Sequence, residues 1–85
     1  MTPQDAALAA ALEYQYRELA LVVARAERMR AELVPPPTSA WRGSARRAFE
    51  TAMQSIAAAL DEAVASLHSA RGNTASALGQ VNSRA

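Results

Sequence analysis

The side chains that could carry out chemistry in this 85-residue chain are few and scattered. His68 is the single histidine and cysteine is absent, so the sequence lacks the ligand cluster of a structural zinc site. Asp61 and Glu62 are neighbouring acids for which we predict a solvated helix surface, and a lone titratable group is a poor general acid or base. No serine follows the nucleophile-elbow pattern, and no glycine-rich loop suits a phosphate. We therefore predict no enzyme, no catalytic residue, no metal and no cofactor.

Arginine supplies all the basic side chains, and the formal net charge is +1. Arginines are concentrated near the middle of the chain, at Arg25, Arg28, Arg30, Arg42, Arg46 and Arg47. We interpret them as a solvated end of the fold, partly balanced by Glu27, Glu32 and Glu50 through pairs along the helices. The alternative is a docking patch for an acidic partner or for nucleic acid. No DNA-binding motif is present, and we favour the first interpretation.

The length and composition allow one small domain. A chain this short, without disulfides or a metal cluster, has oligomerisation as its remaining way to stabilise a core. Charged residues such as Asp5 and Glu13 interrupt the N-terminal region, so we expect no cleavable signal peptide. The apolar run at residues 19–24 is far shorter than the ~20 residues of a membrane span.

Hydrophobic periodicity predicts a first helix from about residue 4 to residue 33. Thr2 is suited to cap it, Pro3 to occupy its first position, and Asp5 to complete a capping box. Apolar side chains recur at spacings of four and three, which is typical of a helix that packs along one stripe. The predicted hairpin-core residues of this helix are Leu8, Leu12, Leu19, Val22, Met29 and Leu33.

A second helix is predicted from about residue 44 to residue 71. Its predicted core residues are Phe49, Met53, Ile56, Leu60 and Leu67. The sequence Arg71-Gly72-Asn73 is typical of a helix end, so we expect residues 73–85 to form a flexible or frayed helical tail. The prediction is therefore a helical hairpin over residues 1–72, in which a turn at 34–43 joins the two helices.

The first helix also carries apolar residues away from its main stripe. Ala7, Tyr14 and Leu21 lie one heptad apart, and a single neighbouring helix cannot cover both sets. We therefore predict a further partner. The candidate partner-interface residues are Ala7, Tyr14, Leu21, Val23, Ala57 and Val64.

The turn between the two helices contains three prolines and the only tryptophan. Trp41 is predicted to cap the end of the core beside Gly43, whose backbone freedom permits a tight turn. The sequence Trp41-Arg42-Gly43-Ser44-Ala45, followed by Phe49 and flanked by two amphipathic helices, resembles the WXG family. These are the small, early-secreted-antigen-like type VII secretion substrates of actinobacteria and firmicutes. The resemblance covers residues 4 to about 72.

That resemblance implies an all-α hairpin that dimerises antiparallel, as a homodimer or heterodimer, into a four-helix bundle without catalysis. It also implies synthesis in the cytoplasm and secretion without a cleaved signal peptide. Family members often carry Tyr-x-x-x-Asp/Glu just after the second helix, whereas no acid follows Glu62 here. The segment from Tyr14 to Glu18 has the right spacing but lies within the first helix, and we interpret it as a chance match.

We therefore expect a type VII secretion substrate, or the escort subunit of a secreted pair. Its partner would be a second copy, another WXG-like hairpin, or the helical domain of a larger secreted protein, together with the secretion machinery. The alternatives are a dimeric structural or adaptor hairpin without export and, third, a basic nucleic-acid binder. Under the interpretation that we favour, we expect the protein to bind no nucleic acid and to have no membrane span.

Overall fold

The computed structural model describes residues 2–33 and 43–84 and contains two α-helices in these ranges. Helix α1 is Pro3–Ala31 and helix α2 is Ser44–Asn82. They are antiparallel, because Asp5 at the start of α1 pairs with Arg84, while Arg30 near its end pairs with Asp61. The predicted all-α helical hairpin is confirmed. Trp41 and the rest of the turn at 34–42 lie outside the described residues.

The start of α1 follows the local chemistry of its first residues. Thr2 has an extended backbone, and its hydroxyl oxygen accepts a hydrogen bond from the Asp5 N–H at 3.0 Å. Pro3 occupies the first turn, where its missing N–H costs nothing. The predicted N-terminal cap is confirmed, and α1 ends two residues before the predicted position, near Glu32.

Helix α2 begins one residue after a glycine with unusual backbone angles. Gly43 is the N-cap residue, with φ +74° and ψ −143°, and it forms no side-chain capping bond. This conformation strongly disfavours any residue with a Cβ atom. The glycine of the Trp-x-Gly pattern therefore has a local structural reason.

The predicted helix end at Arg71-Gly72-Asn73 is wrong. Helix α2 continues unbroken to Asn82, and within the expected tail Thr74 and Val81 are each only 3% exposed. A glycine inside a helix costs about 1 kcal/mol relative to alanine. Packing of residues 73–82 against the first half of α1 offsets that cost, since Val81 and Ala9 are both buried.

Both helices pack along a seam in which every third or fourth residue is withdrawn from solvent. In α1 the positions are Asp5, Ala9, Leu12, Tyr16, Leu19, Val23, Ala26 and Arg30, and Leu33 continues the series just after the helix. In α2 they are Glu50, Met53, Ala57, Leu60, Val64, Leu67, Arg71, Thr74, Leu78 and Val81. The alternating spacings of three and four are those of a left-handed pair of helices. The seam joins large and small apolar residues and includes several polar ones.

Four residues expected in the hairpin core are exposed instead. Leu8 (44%), Val22 (46%), Met29 (50%) and Ile56 (47%) each lie one position before a seam residue. Two sets of positions in α1 fit the helical period equally well. One set is 8, 15, 22 and 29, and the other is 9, 16, 23 and 30. Each set lies three or four residues from positions 12, 19, 26 and 33. The structure uses the stripe that contains Ala9 and Val23, whose small side chains permit close approach of the helices.

Three residues expected at the partner interface lie at the seam instead, because these seam positions fall one residue after the predicted ones. Val23 is 5% exposed, and Ala57 and Val64 are half buried at seam positions. All three lie at positions where α1 and α2 pack against each other. Leu12, Leu19 and Leu33 of α1 are half buried at seam positions, as are Met53, Leu60 and Leu67 of α2; Phe49, next to the seam, is half buried as well.

The hairpin is a thin rod. Its Cα atoms span 65 × 14 × 13 Å, and its radius of gyration is 19.9 Å. A compact chain of this length would have a radius of gyration of about 12 Å. Two helices side by side have no second layer, and no large side chain among the described residues is fully buried.

Two glycine substitutions test the ends and the continuity of α2. Gly43→Ala should lower the free energy of unfolding by about 1–3 kcal/mol because of the positive φ. Gly72→Ala should raise it by about 0.5–1 kcal/mol, because an added Cβ meets no atom within 4 Å and the site is helical. Chemical denaturation followed by circular dichroism measures both. An unchanged stability in Gly72→Ala would indicate that the segment after Arg71 is frayed.

Candidate protein-interaction surface

One side of the hairpin is lined by uncharged, mostly apolar residues. On each helix they form a column in which each residue lies one position before a seam residue. Because the helices are antiparallel, the two columns lie on the same side of the hairpin. We call this side the apolar face, and its residues are Leu8, Val22 and Met29 from α1 and Ile56, Ala63, Ala70 and Ala77 from α2. The first four are 44–50% exposed, Ala63 is exposed, and Ala70 and Ala77 are half buried. The column is interrupted by Gln15 in α1. This surface offers apolar contact to another protein.

The opposite side of the hairpin is polar. There Glu27 of α1 lies 3.3 Å from the Nε2 atom of His68 on α2, and the Arg30 Nε donates to Asp61 at 2.9 Å. The four side chains are 42–61% exposed, so each pair contributes at most about 1 kcal/mol. The hairpin therefore has one side suited to water and one suited to burial.

A second exposed apolar feature faces away from α2. Ala7, Tyr14 and Leu21 form an outward ridge on α1, in which Tyr14 is 61% and Leu21 65% exposed. These were expected at a partner interface, and they are accessible for it. The ridge belongs to one helix only, whereas both helices contribute to the apolar face, so the ridge offers less area to a partner.

A polar layer crosses the seam near the start of α1. Gln15 Nε2 donates to the Thr74 hydroxyl oxygen at 2.8 Å, and that hydroxyl donates to the Ala70 carbonyl oxygen at 2.9 Å. Arg71 stacks on the Tyr16 ring, with its guanidinium carbon 4.4 Å from the ring centroid. The polar side chains of the two helices face one another only in one register, so the layer favours this alignment of the helices over shifted ones.

The arginines near the turn are partly neutralised along their own helices and across the hairpin. Arg46 pairs with Glu50 at 2.9 Å, and Arg30 with Asp61. This agrees with the interpretation of a solvated, ion-paired end and weakens the case for a nucleic-acid surface. Arg42 lies outside the described residues.

A shallow groove of about 330 Å³ lies beside the end of α1. It is lined by Arg30, Leu33, Glu50, Met53, Gln54 and Ala57. It forms because α2 extends roughly a dozen residues past the end of α1, as the paired residues at both ends of the hairpin show. Its ionisable lining residues, Arg30 and Glu50, are paired with Asp61 and Arg46.

The described part of the chain contains no group of three acidic or histidine side chains placed to hold a metal ion. Neither α1 nor α2, over the residues described, has a stretch long and apolar enough to cross a membrane. The features of this structure that suit binding are therefore its uncovered apolar surfaces.

The polar layer makes a prediction about stability. Thr74→Val preserves side-chain shape but removes both hydrogen bonds, and we expect the free energy of unfolding to fall by roughly 1 kcal/mol. A double-mutant cycle with Gln15→Ala should give a coupling energy of about 0.5–1 kcal/mol, measured by urea denaturation. A coupling energy of zero would show that the bond between Gln15 and Thr74 does not form in solution.

Comparison with known proteins found no matching family model, no matching curated protein and no matching solved structure.

Proposed function

We propose that this protein is a small type VII secretion substrate, or the escort subunit of a secreted pair. It acts by docking its helical hairpin on a second hairpin, either another copy or a WXG-like partner, to form a four-helix bundle. The partner could also be the helical domain of a larger secreted protein. The observation that carries the docking part is the apolar face, which α1 and α2 build together and leave exposed.

The energetic argument for docking is that the isolated hairpin buries little. Its accessible surface is 6137 Å², against about 4,900 Å² for a compact protein of 9.0 kDa. The difference, roughly 1,200 Å², is more than the ~800 Å² that each partner buries in a standard interface. A second hairpin on the apolar face would supply the missing layer.

The secretion part of the proposal is supported by the likeness of the turn sequence to the WXG pattern. The helical hairpin agrees with the fold which that likeness implies, and the backbone of Gly43 accounts for the glycine in the pattern. The chain would be made in the cytoplasm and exported without a cleaved signal peptide. The secretion machinery would then be a further partner.

The composition of α2 and the residues after it favours the escort role. Residues 63–85 contain no acid, so these residues contain no Tyr-x-x-x-Asp/Glu pattern. In the family the signal is composite, with the Trp-x-Gly turn of one subunit beside the tail of the other. This chain would supply the turn, and a WXG-like partner would supply the tail.

The second candidate is a structural or adaptor hairpin that dimerises without being exported. The apolar face favours it as much as the first candidate, because docking on that face requires no export signal. Its docking surface would be the same apolar face. Both candidate functions therefore include association through the apolar face, and only the first includes export.

The proposal is tested by expressing the tagged chain in a bacterium with a type VII machinery and in a matched strain from which that machinery is deleted. We expect the chain in the culture filtrate of the first strain only, with a cytoplasmic marker retained in the cells of both. Trp41→Ala should reduce export, while Gly72→Ala, which lies outside the motif, should not. Retention of the chain in both strains, also when a tail-bearing WXG-like partner is co-expressed, would favour the adaptor.

A further inference from the structure

We infer that the hairpin has two packing arrangements, of which the structure shows the open one, with the apolar face exposed. In the closed arrangement, each helix is turned about its own axis by about 50°, half the angle between consecutive helical residues, and the apolar face becomes the seam. The regulatory role of this rotation rests on the proposed function, because the closed arrangement hides the docking surface. The rotation itself needs no partner.

Both helices carry a second set of positions that fits the helical period. Positions 12, 19, 26 and 33 of α1 and 53, 60, 67, 74 and 81 of α2 belong to either seam. In α1 the rotation exchanges Ala9, Tyr16, Val23 and Arg30 for Leu8, Gln15, Val22 and Met29. In α2 it exchanges Ala57, Val64, Arg71 and Leu78 for Ile56, Ala63, Ala70 and Ala77. Because both apolar columns lie on one side of the hairpin, the two helices turn inward together like a pair of gears, without sliding along their axes.

The exchange keeps the seam apolar and removes charge from it. Large apolar side chains leave the seam at Val23, Val64 and Leu78 and enter it at Leu8, Val22, Met29 and Ile56. Arg30 and Arg71 turn toward water. In the open arrangement the Arg71 Nε atom is buried and has no hydrogen-bond partner among the described residues, which costs free energy. The closed arrangement removes this cost, so it competes with the open one.

Two contacts on the polar side hold the open arrangement, and we call them the latch. The Arg30 Nε donates to Asp61 at 2.9 Å, and Glu27 lies 3.3 Å from the Nε2 atom of His68. Glu27, Asp61 and His68 each lie one position after a seam residue, so the rotation turns them away from the opposite helix. Both latch contacts must therefore break when the apolar face closes. Because the latch residues are exposed, each contact is weak, and a change at the latch can shift the balance.

The hydrogen bond between Gln15 and Thr74 is compatible with both arrangements. Thr74 belongs to either seam, and Gln15 belongs to the closed one, so the two side chains remain neighbours when the helices turn. This bond fixes the register of the helices along their axes and leaves them free to rotate.

The rotation would control docking. A partner that binds the apolar face binds only the open arrangement and therefore stabilises it. In the free chain, closing the face covers Val22 and its neighbours with the hairpin's own second helix. The hairpin would thus present its docking surface mainly when a partner is there to cover it.

Single thiols report the rotation directly, because the chain contains no cysteine. Val22→Cys and Val23→Cys place a thiol at neighbouring positions that are 46% and 5% exposed in the open arrangement. With the latch intact, we expect the thiol of Val22→Cys to react with iodoacetamide faster than that of Val23→Cys. Closing the face slows the first reaction and speeds the second, whereas unfolding speeds both. The ratio of the two rates therefore distinguishes rotation from loss of structure.

Charge reversal at the latch should close the face. Arg30→Glu and Asp61→Arg each place like charges opposite one another, so each should lower the ratio of labelling rates roughly fivefold or more. The double variant restores the pair with its charges exchanged and should restore the ratio. Arg46→Glu is the matched control: it breaks an ion pair within α2, between Arg46 and Glu50, and should leave the ratio unchanged. Circular dichroism checks that every variant remains helical.

An unchanged ratio in both single reversals, or faster labelling at both positions in both, would overturn the rotation. The exposed position of Asp61 keeps the test valid if Arg30→Glu fails to fold. A ratio that falls and recovers in a chain that binds no second hairpin would support the rotation and contradict the proposed function. Docking on the apolar face without any change of the ratio in the reversals would leave the proposed function intact and overturn the rotation.

Discussion

The structure depends on packing one seam between two long helices. The seam contains small residues such as Ala9 and Ala26, which bring the backbones together but bury little apolar area each. A two-helix rod of this kind has no interior in which a large side chain can be enclosed. Its stability is therefore limited, and each helix retains apolar surface that another layer could cover.

The length of α2 follows from the same constraint. Ending α2 at Gly72 would leave the first half of α1 without a partner, including Ala9 and Leu12. Continuing the helix to Asn82 covers it, and the packing of Val81 together with the bond between Gln15 and Thr74 offsets two glycines in the helix. The polar layer adds register specificity to a seam whose alanines would tolerate several alignments.

The division of the hairpin into a polar and an apolar side gives the molecule its function as we propose it. The ion pair between Arg30 and Asp61 and the contact between Glu27 and His68 lie on the solvated side of the hairpin, while Val22 and its neighbours leave the other side apolar. Binding a second hairpin would bury that side without rearranging the first. A surface of this kind supports association.

The two helices and the cap at Thr2 could be predicted from the sequence, because they follow from local spacing and from residue types that act within a few positions. The hairpin could be predicted because a short turn joins two long helical runs. The sequence also indicated that one helix could not cover all the apolar residues of the other. The position of the seam was decided by tertiary structure alone. Leu8 and Ala9 satisfy the same helical period, and so do Val22 and Val23. Only the packing of α1 against α2 selects Ala9, the smaller residue of the first pair, and buries Val23. The helical state of residues 73–82 was decided in the same way, since the glycine signal is local and the contacts that override it lie some sixty residues away in the chain.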